Sequence, residues 1–78
     1  MLLSNGVPFD TDGIDQLYQV SIVSGSASIQ MSIDDAPFEE IEGMNFSASA
    51  NGVLVLSENC RIKAVTTGDA KVYIDRNQ

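Results

Sequence analysis

The chain has 78 residues, with 11 Asp and Glu against 4 Lys and Arg, no His and one Cys. This length predicts one small domain, the lone Cys excludes an intramolecular disulfide, and the lack of His argues against a zinc site, so we expect no cofactor and no metal. A net charge of −7, with all four basic residues among the last eighteen, argues against nucleic acid and anionic membranes as partners.

Residues 1–15 are predicted to form an extended N-terminal arm, ahead of a single β-sandwich domain over residues 16–78. Asn5-Gly6, Val7-Pro8 and Asp12-Gly13 are turn-forming pairs that interrupt any regular element. The arm still carries several apolar side chains: Leu2, Leu3, Val7, Phe9 and Ile14. Two arrangements are open at this point, because the arm could close the end of its own sandwich or lie on a neighbouring subunit.

The N-terminal sequence lacks the features of a targeting signal. Met1-Leu2-Leu3 is followed directly by Ser4-Asn5-Gly6, without a basic region or a long apolar run. The rest of the sequence holds no stretch long enough to span a membrane. We therefore expect a protein made in a reducing cytoplasm, where a single thiol stays reduced.

The segment Asp10–Asp15 places carboxylates at alternating positions, as calcium loops do. The EF-hand spacing fails, because Gly13 comes too early and Ser21 stands where a bidentate Glu is needed. We interpret the segment as a polar turn that leads into the first long strand.

The clearest strand signal lies between residues 17 and 34. Apolar and polar side chains alternate on both sides of Gly25-Ser26, which is the period of a half-buried strand. A two-residue loop would place Ile22 opposite Ile29 and keep the apolar faces together. We predict a hairpin of 17–24 with 27–34, ended by the carboxylates and proline of residues 34–37.

The same logic predicts two further hairpins and a short strand over 38–41. Asn51-Gly52 between alternating runs predicts a tight hairpin of 46–50 with 53–57. A three-residue loop at Thr67–Asp69 predicts a hairpin of 60–66 with 70–75, in which Tyr73 would lie beside Lys63 on the outer face. About seven short strands without helical periodicity predict an all-β fold, a small antiparallel β-sandwich or barrel.

Few residues are candidates for a catalytic role. We therefore predict that the protein is not an enzyme and has no catalytic site. Cys60 is in phase with Ile62 and Ala64, which favours a buried structural thiol. The paired carboxylates Asp34-Asp35 and Glu39-Glu40 are adjacent in sequence, so their side chains point apart or into solvent.

An interaction surface is better supported. The strand predicted over residues 53–57 is apolar on both faces, and a two-layer sandwich covers only one of them. We predict partner-binding positions at Leu54 and Leu56, together with Leu2, Leu3, Val7 and Phe9 of the arm. The alternative is that Leu54 and Leu56 belong to the core of the most central strand.

Four motifs between Val20 and Ile74, about two thirds of the chain, carry a family resemblance: Ser32-Ile33-Asp34-Asp35, Ile41-Glu42-Gly43, Ala50-Asn51-Gly52-Val53 and Arg61–Gly68. They resemble small structural proteins of tailed bacteriophages that serve as head decoration, fibre or tail-adaptor components. Phe38 departs from the pattern, where Trp is expected. The resemblance implies a β-sandwich that forms a symmetric oligomer, often a trimer, attached to a virion, and it brings no catalytic residues.

Two functions from different classes follow. The first is a phage virion structural protein that binds itself and another virion protein and is located in the virion. The second is a small carbohydrate- or receptor-binding β-sandwich, for which Tyr73 beside Arg61, Lys63 and Asp75 would be the stacking platform.

Overall fold

The computed structural model describes residues 1–77, which fold into seven strands. In chain order they are β1 (Phe9–Asp10), β2 (Gln16–Ile22), β3 (Ala27–Ile33), β4 (Glu39–Phe46), β5 (Ala50–Leu54), β6 (Cys60–Thr66) and β7 (Ala70–Arg76). One antiparallel sheet has the order β1-β6-β3-β4 and the other has the order β5-β2-β7. The expected fold class, a small antiparallel β-sandwich, is confirmed.

The core lies between the two sheets. Val20 and Val72 from the three-stranded sheet meet Ile29 and Ile62 from the four-stranded sheet, and none of the four is more than 1% exposed. Each such side chain stabilises the fold by about 1.5–3 kcal/mol relative to an exposed one. The alternation in the sequence correctly predicted the inward face of these four strands.

The predicted hairpin of 17–24 with 27–34 is wrong. β2 pairs with β5 and β7, whereas β3 pairs with β4 and β6, so the chain crosses from one sheet to the other at residues 23–26. The alternation does not distinguish the two arrangements, because two strands bury the same faces whether they lie side by side or stack across a core.

The predicted hairpin of 60–66 with 70–75 is wrong for the same reason. Residues 67–69 do form the connection, but β6 and β7 lie in opposite sheets. Its outward pairs are therefore also wrong: Tyr73 lies beside Gln19 of β2, while Lys63 lies beside Gln30 of β3.

The two crossings lie against each other and are joined by main-chain hydrogen bonds. The Thr67 amide donates to the Ser26 carbonyl at 2.8 Å, and the Asp69 amide donates to the Ser24 carbonyl at 3.0 Å. Gly25 has a φ of 93°, and a Cβ at this position would overlap the Thr67 carbonyl. Glycine is therefore needed at position 25 because the two crossings are in close contact there, and not because the chain forms a hairpin turn.

The hairpin predicted around Asn51-Gly52 is wrong as well. Both residues lie inside β5, where Asn51 is opposite Gln19 and Gly52 is opposite Tyr18. A Cβ on Gly52 would lie 2.7 Å from the Tyr18 hydroxyl oxygen, so the glycine makes room for the aromatic ring. β5, which overlaps the strand predicted over residues 53–57, is an edge strand of the three-stranded sheet and not the most central one.

β3 and β4 are the consecutive strands that pair within one sheet, and their ladder is irregular. Gln30 is opposite Glu40 and Ser28 is opposite Asn45, so β4 contains extra residues between these pairs. The strand predicted over 38–41 is too short, because β4 begins at Glu39 and continues past Gly43 to Phe46. Gly43 has a φ of 82°, which lets the strand bulge and resume.

The alternation also fails at the end of β3. Ile33 is 48% exposed, whereas Ser32 is 1% exposed. The turn after β3 folds back over Ser32, whose hydroxyl donates a hydrogen bond to the Ala36 carbonyl. Ser32 is thereby buried with a partner, which removes the usual cost of burying a hydroxyl.

The N-terminal arm lies on its own sandwich, along the edges of both sheets. The Met1 ammonium donates to the Ile74 carbonyl at 2.7 Å, and the Leu3 amide donates to the Val72 carbonyl at 2.9 Å. The Gly6 amide then donates to the Ala64 carbonyl at 2.7 Å, ahead of β1. The arm therefore covers the β7 edge of one sheet and the β6 edge of the other.

Candidate functional site

The six side chains predicted to bind a partner are divided between core and surface. Leu54, Leu56 and Leu3 are buried, with 2%, 7% and 6% exposed. Phe9 is half-buried against the core, and Leu2 and Val7 are exposed. The expectation that Leu54 and Leu56 face a partner is corrected, because both point into the core.

Val53 and Val55, which alternate with Leu54 and Leu56 at the C-terminal end of β5, are the exposed apolar side chains of this segment. Val53 is paired with Leu17 of β2, and both are partly exposed. Two residues further along, Tyr73 of β7 bridges to Leu2 of the arm. These positions share one surface, because residues opposite each other in a sheet point the same way.

We call this surface the β2 face, since β2 is the middle strand of the three. It consists of Leu2 of the arm, Leu17, Gln19 and Ser21 of β2, Asn51 and Val53 of β5, and Lys71, Tyr73 and Asp75 of β7. Its apolar members form two neighbouring cross-strand pairs, Leu17 with Val53 and Tyr73 with Leu2, whereas apolar side chains scattered singly over a surface need no explanation. The β2 face is therefore the strongest candidate for a protein contact.

The charges on the β2 face differ from those of the chain as a whole. The chain has eleven Asp and Glu, and one of them, Asp75, is on this face. It also carries one cation, Lys71, so the two formal charges cancel. An acidic protein has here a surface without net charge, so a contact through this face does not bring a cluster of like charges together.

The outer face of the four-stranded sheet is partly covered by Phe38. Phe38 lies over it, with the Lys63 Nζ at 4.4 Å and the Arg61 guanidinium carbon at 5.7 Å from the ring centroid. Arg61 also pairs with Asp35 at 3.0 Å. The sugar platform predicted at Tyr73 is wrong in its neighbours, because Arg61 and Lys63 belong to this face and not to that of Tyr73.

An acidic cleft of about 690 Å³ lies at one end of the sandwich. Its carboxylates come from three loops and include Asp12, Asp34 and Asp35, all of which have positive φ. Asp12 pairs with Arg76 at 3.0 Å, just as Asp35 pairs with Arg61. Within residues 1–77, no group of three or more His, Cys, Asp or Glu has the geometry to hold a metal ion.

The first part of the segment Asp10–Asp15 lines this cleft. The Asp15 carboxylate points away from it and accepts a hydrogen bond from the Leu56 amide at 2.9 Å. A turn at Asp12-Gly13 precedes β2, as the sequence indicated. The segment thus fixes the loop after β5 to the start of β2.

A second concavity, of about 430 Å³, is lined mainly by apolar side chains beside β4. Met31, Ile33, Pro37 and Ile41 form it, and Glu39 and Glu40 stand at its rim. Its residues are separated from the β2 face by the thickness of the sandwich, since β3 and β4 belong to the other sheet. It provides a second surface against which the β2 face can be compared.

Cys60 is buried, with 3% of its surface exposed, as the sequence predicted. Burial raises the pKa of the Cys60 thiol above its ordinary value, and a hydrogen bond with Thr11 offsets part of that shift. The Thr11 hydroxyl also donates to the Cys60 carbonyl at 3.0 Å. A thiol kept protonated in this way is a poor nucleophile.

This pKa shift predicts a pH dependence. Above the ordinary thiol pKa the unfolded chain loses the Cys60 proton while the folded protein retains it, so the free energy of unfolding falls as pH rises through that window. Urea unfolding of the protein and of Cys60→Ala between pH 7 and 10 measures this slope. The slope should be shallower in Cys60→Ala, and equal slopes would contradict the burial argument.

Comparisons with protein-family models, with curated proteins and with solved structures gave no match. Over residues 1–77, the structure contains no helix long and apolar enough to cross a membrane.

Proposed function

We propose that this chain is a non-enzymatic structural protein that assembles through the β2 face. The single observation that carries the proposal is that Leu2, Leu17, Val53 and Tyr73 are at least partly exposed on one face, where the two formal charges cancel. Such a surface is typical of protein–protein contacts. The setting that we propose is a virion, in which the protein binds itself and docks on another virion protein, as expected from the resemblance to phage proteins.

Two further features support a structural role. The arm ties both sheets together at one side, so the β2 face is presented on a scaffold whose β7 edge is already paired. Tyr73 is half-buried, and its cross-strand neighbours are Leu2 and Gln19. A rigid aromatic side chain on a fixed sheet loses little entropy on binding.

The proposal predicts that Leu17→Ser weakens assembly while leaving the fold intact. Leu17 is 44% exposed, so the substitution removes apolar surface from the β2 face and little from the core. Sedimentation equilibrium over a range of concentrations measures the average mass, and circular dichroism checks folding. We expect the average mass to fall toward the 8.4 kDa of one chain.

Val65→Ser is the matched control, because Val65 is 37% exposed on the outer face of β6. It removes a similar apolar area from the opposite sheet and should leave the mass unchanged. A protein that is a single chain at every concentration and binds no other protein would contradict the proposed function. So would equal effects of the two substitutions.

A further inference from the structure

We propose that the partner of the β2 face is a second copy of this chain. The two copies are related by a two-fold axis that runs between their facing sheets, over Tyr73 and at right angles to β7. This inference rests on the proposed function and adds the identity and geometry of the partner. It depends on the arrangement of two charges on β7, Lys71 and Asp75, on either side of Tyr73.

The three side chains lie in a row on one face. Ala70, Val72 and Ile74 point into the core, so the alternate residues Lys71, Tyr73 and Asp75 point outward. At about 3.4 Å per residue, the two charged residues are about 14 Å apart along the strand, with Tyr73 midway between them.

A two-fold axis over Tyr73 reverses the direction of β7 in the second copy. Lys71 of each copy then lies over Asp75 of the other, and the two tyrosines meet at the axis. An interface of this kind is self-complementary, because residue i contacts residue j and residue j contacts residue i. It forms two ion pairs and one aromatic pair from a single strand.

Lys71 is also the cation without a partner in its own chain. Arg61 pairs with Asp35, Arg76 pairs with Asp12, and Lys63 lies over the Phe38 ring. Among residues 1–77, Lys71 has neither a carboxylate within 4.0 Å nor an aromatic ring beneath it. A second copy supplies the carboxylate that the fold does not.

The distribution of charge also favours the β2 face over other parts of the surface as the place where two copies meet. The molecule carries a net charge of −7, so most pairings of its surface bring acidic groups together. The β2 face holds one of the eleven acidic residues and one of the four basic residues, and the proposed symmetry places these two opposite each other.

The inference is tested by charge reversal at both positions. Lys71→Asp places acidic groups on both sides of Tyr73, and Asp75→Lys places basic groups on both sides. In either variant alone, two attractive pairs become two repulsive ones, and we expect the dimer dissociation constant to rise by about tenfold or more. Glu42→Lys, a reversal on the other sheet, is the control and should not weaken the dimer.

Mixing the two variants tests whether Lys71 of one copy faces Asp75 of the other. A mixture of Lys71→Asp with Asp75→Lys restores attraction at both pairs, so we expect the mixed dimer to form about as tightly as the unaltered one. Because each variant regains its partner in the mixture, misfolding does not account for the loss in the separate samples. Sedimentation equilibrium and native mass spectrometry report the homodimers and the mixed dimer separately.

Three results would contradict the two-fold arrangement. Single reversals without effect, or variants that do not recover on mixing, would overturn the two-fold arrangement. A trimeric mass, which the resemblance to phage proteins implies, would overturn it too. If that trimer were weakened by Leu17→Ser and not by Val65→Ser, the proposed function would stand while this inference failed.

Discussion

Leu54→Ser is expected to remove a large part of the protein's folding stability. Leu54 is 2% exposed, so the substitution leaves a cavity and buries a hydroxyl in place of an isobutyl group. Together these effects cost about 4–6 kcal/mol. A chain of 78 residues is stabilised by only about 4–12 kcal/mol in total.

Val53→Ser is the matched control, because Val53 is the preceding residue of the same strand and is 42% exposed on the other face. It should change the free energy of unfolding by about 1 kcal/mol or less. Urea unfolding followed by circular dichroism measures both variants. A folded, stable Leu54→Ser variant that no longer assembles would place Leu54 at an interface and contradict its position in the core.

The second large effect is expected at Gly25. Gly25→Ala should destabilise the protein by about 2–4 kcal/mol, from strain at positive φ and from overlap with the Thr67 carbonyl. The main chain at Thr67 has little room to move, because the Thr67 amide and the Asp69 amide are hydrogen-bonded to the β2–β3 crossing. The midpoint of urea unfolding reports the loss.

Gly6→Ala separates the two causes. Gly6 has a φ of 73°, and a Cβ there would have no heavy atom within 4 Å. This substitution should cost about 1 kcal/mol, which is the effect of positive φ alone. Equal losses at Gly6 and Gly25 would show that the two crossings do not press against each other as the structure has them.

The faces of the strands could be predicted from the sequence, but their partners could not. Val20, Ile29, Ile62 and Val72 are buried as the alternation indicated. The same alternation is satisfied by a hairpin and by two strands stacked across the core, so it predicted a hairpin at Gly25 where the chain crosses between the sheets. A glycine is required at position 25 by its contact with Thr67, which is distant in the sequence.

Asn51-Gly52 shows the limit of turn signals. The pair favours a tight turn when the flanking strands pair with each other, yet here both neighbours pair with other strands. Gly52 is explained by the Tyr18 ring that lies over it. That contact joins residues 34 positions apart, and a local pattern carries no information about it.

The candidate site was predicted in part. The sequence correctly indicated that the strand around residue 54 has two apolar faces and that only one can reach the core. It gave the surface to Leu54 and Leu56, whereas Val53 and Val55 occupy it. Larger side chains on the inner face are the physical reason, because they bury more apolar area there.

The other members of the β2 face come from three separate parts of the chain. Leu17, Val53 and Tyr73 are brought together by the pairing of β2 with β5 and β7. The sequence contained one usable signal, the alternation of Lys71, Tyr73 and Asp75 on one side of the last strand. The hairpin expected there placed these residues in the same sheet as Arg61 and Lys63. Their predicted neighbours were therefore wrong.

The most direct test of the account is a dilution series of two-dimensional ¹H–¹⁵N NMR spectra, from millimolar to micromolar concentration. If the β2 face is the contact surface, amide signals of β2, β5 and β7 shift with concentration, with the largest changes near Leu17 and Tyr73. Signals of β3, β4 and β6, including the groove at Met31 and Ile41, should stay fixed. Shifts confined to that groove, or no shifts at any concentration, would contradict the account.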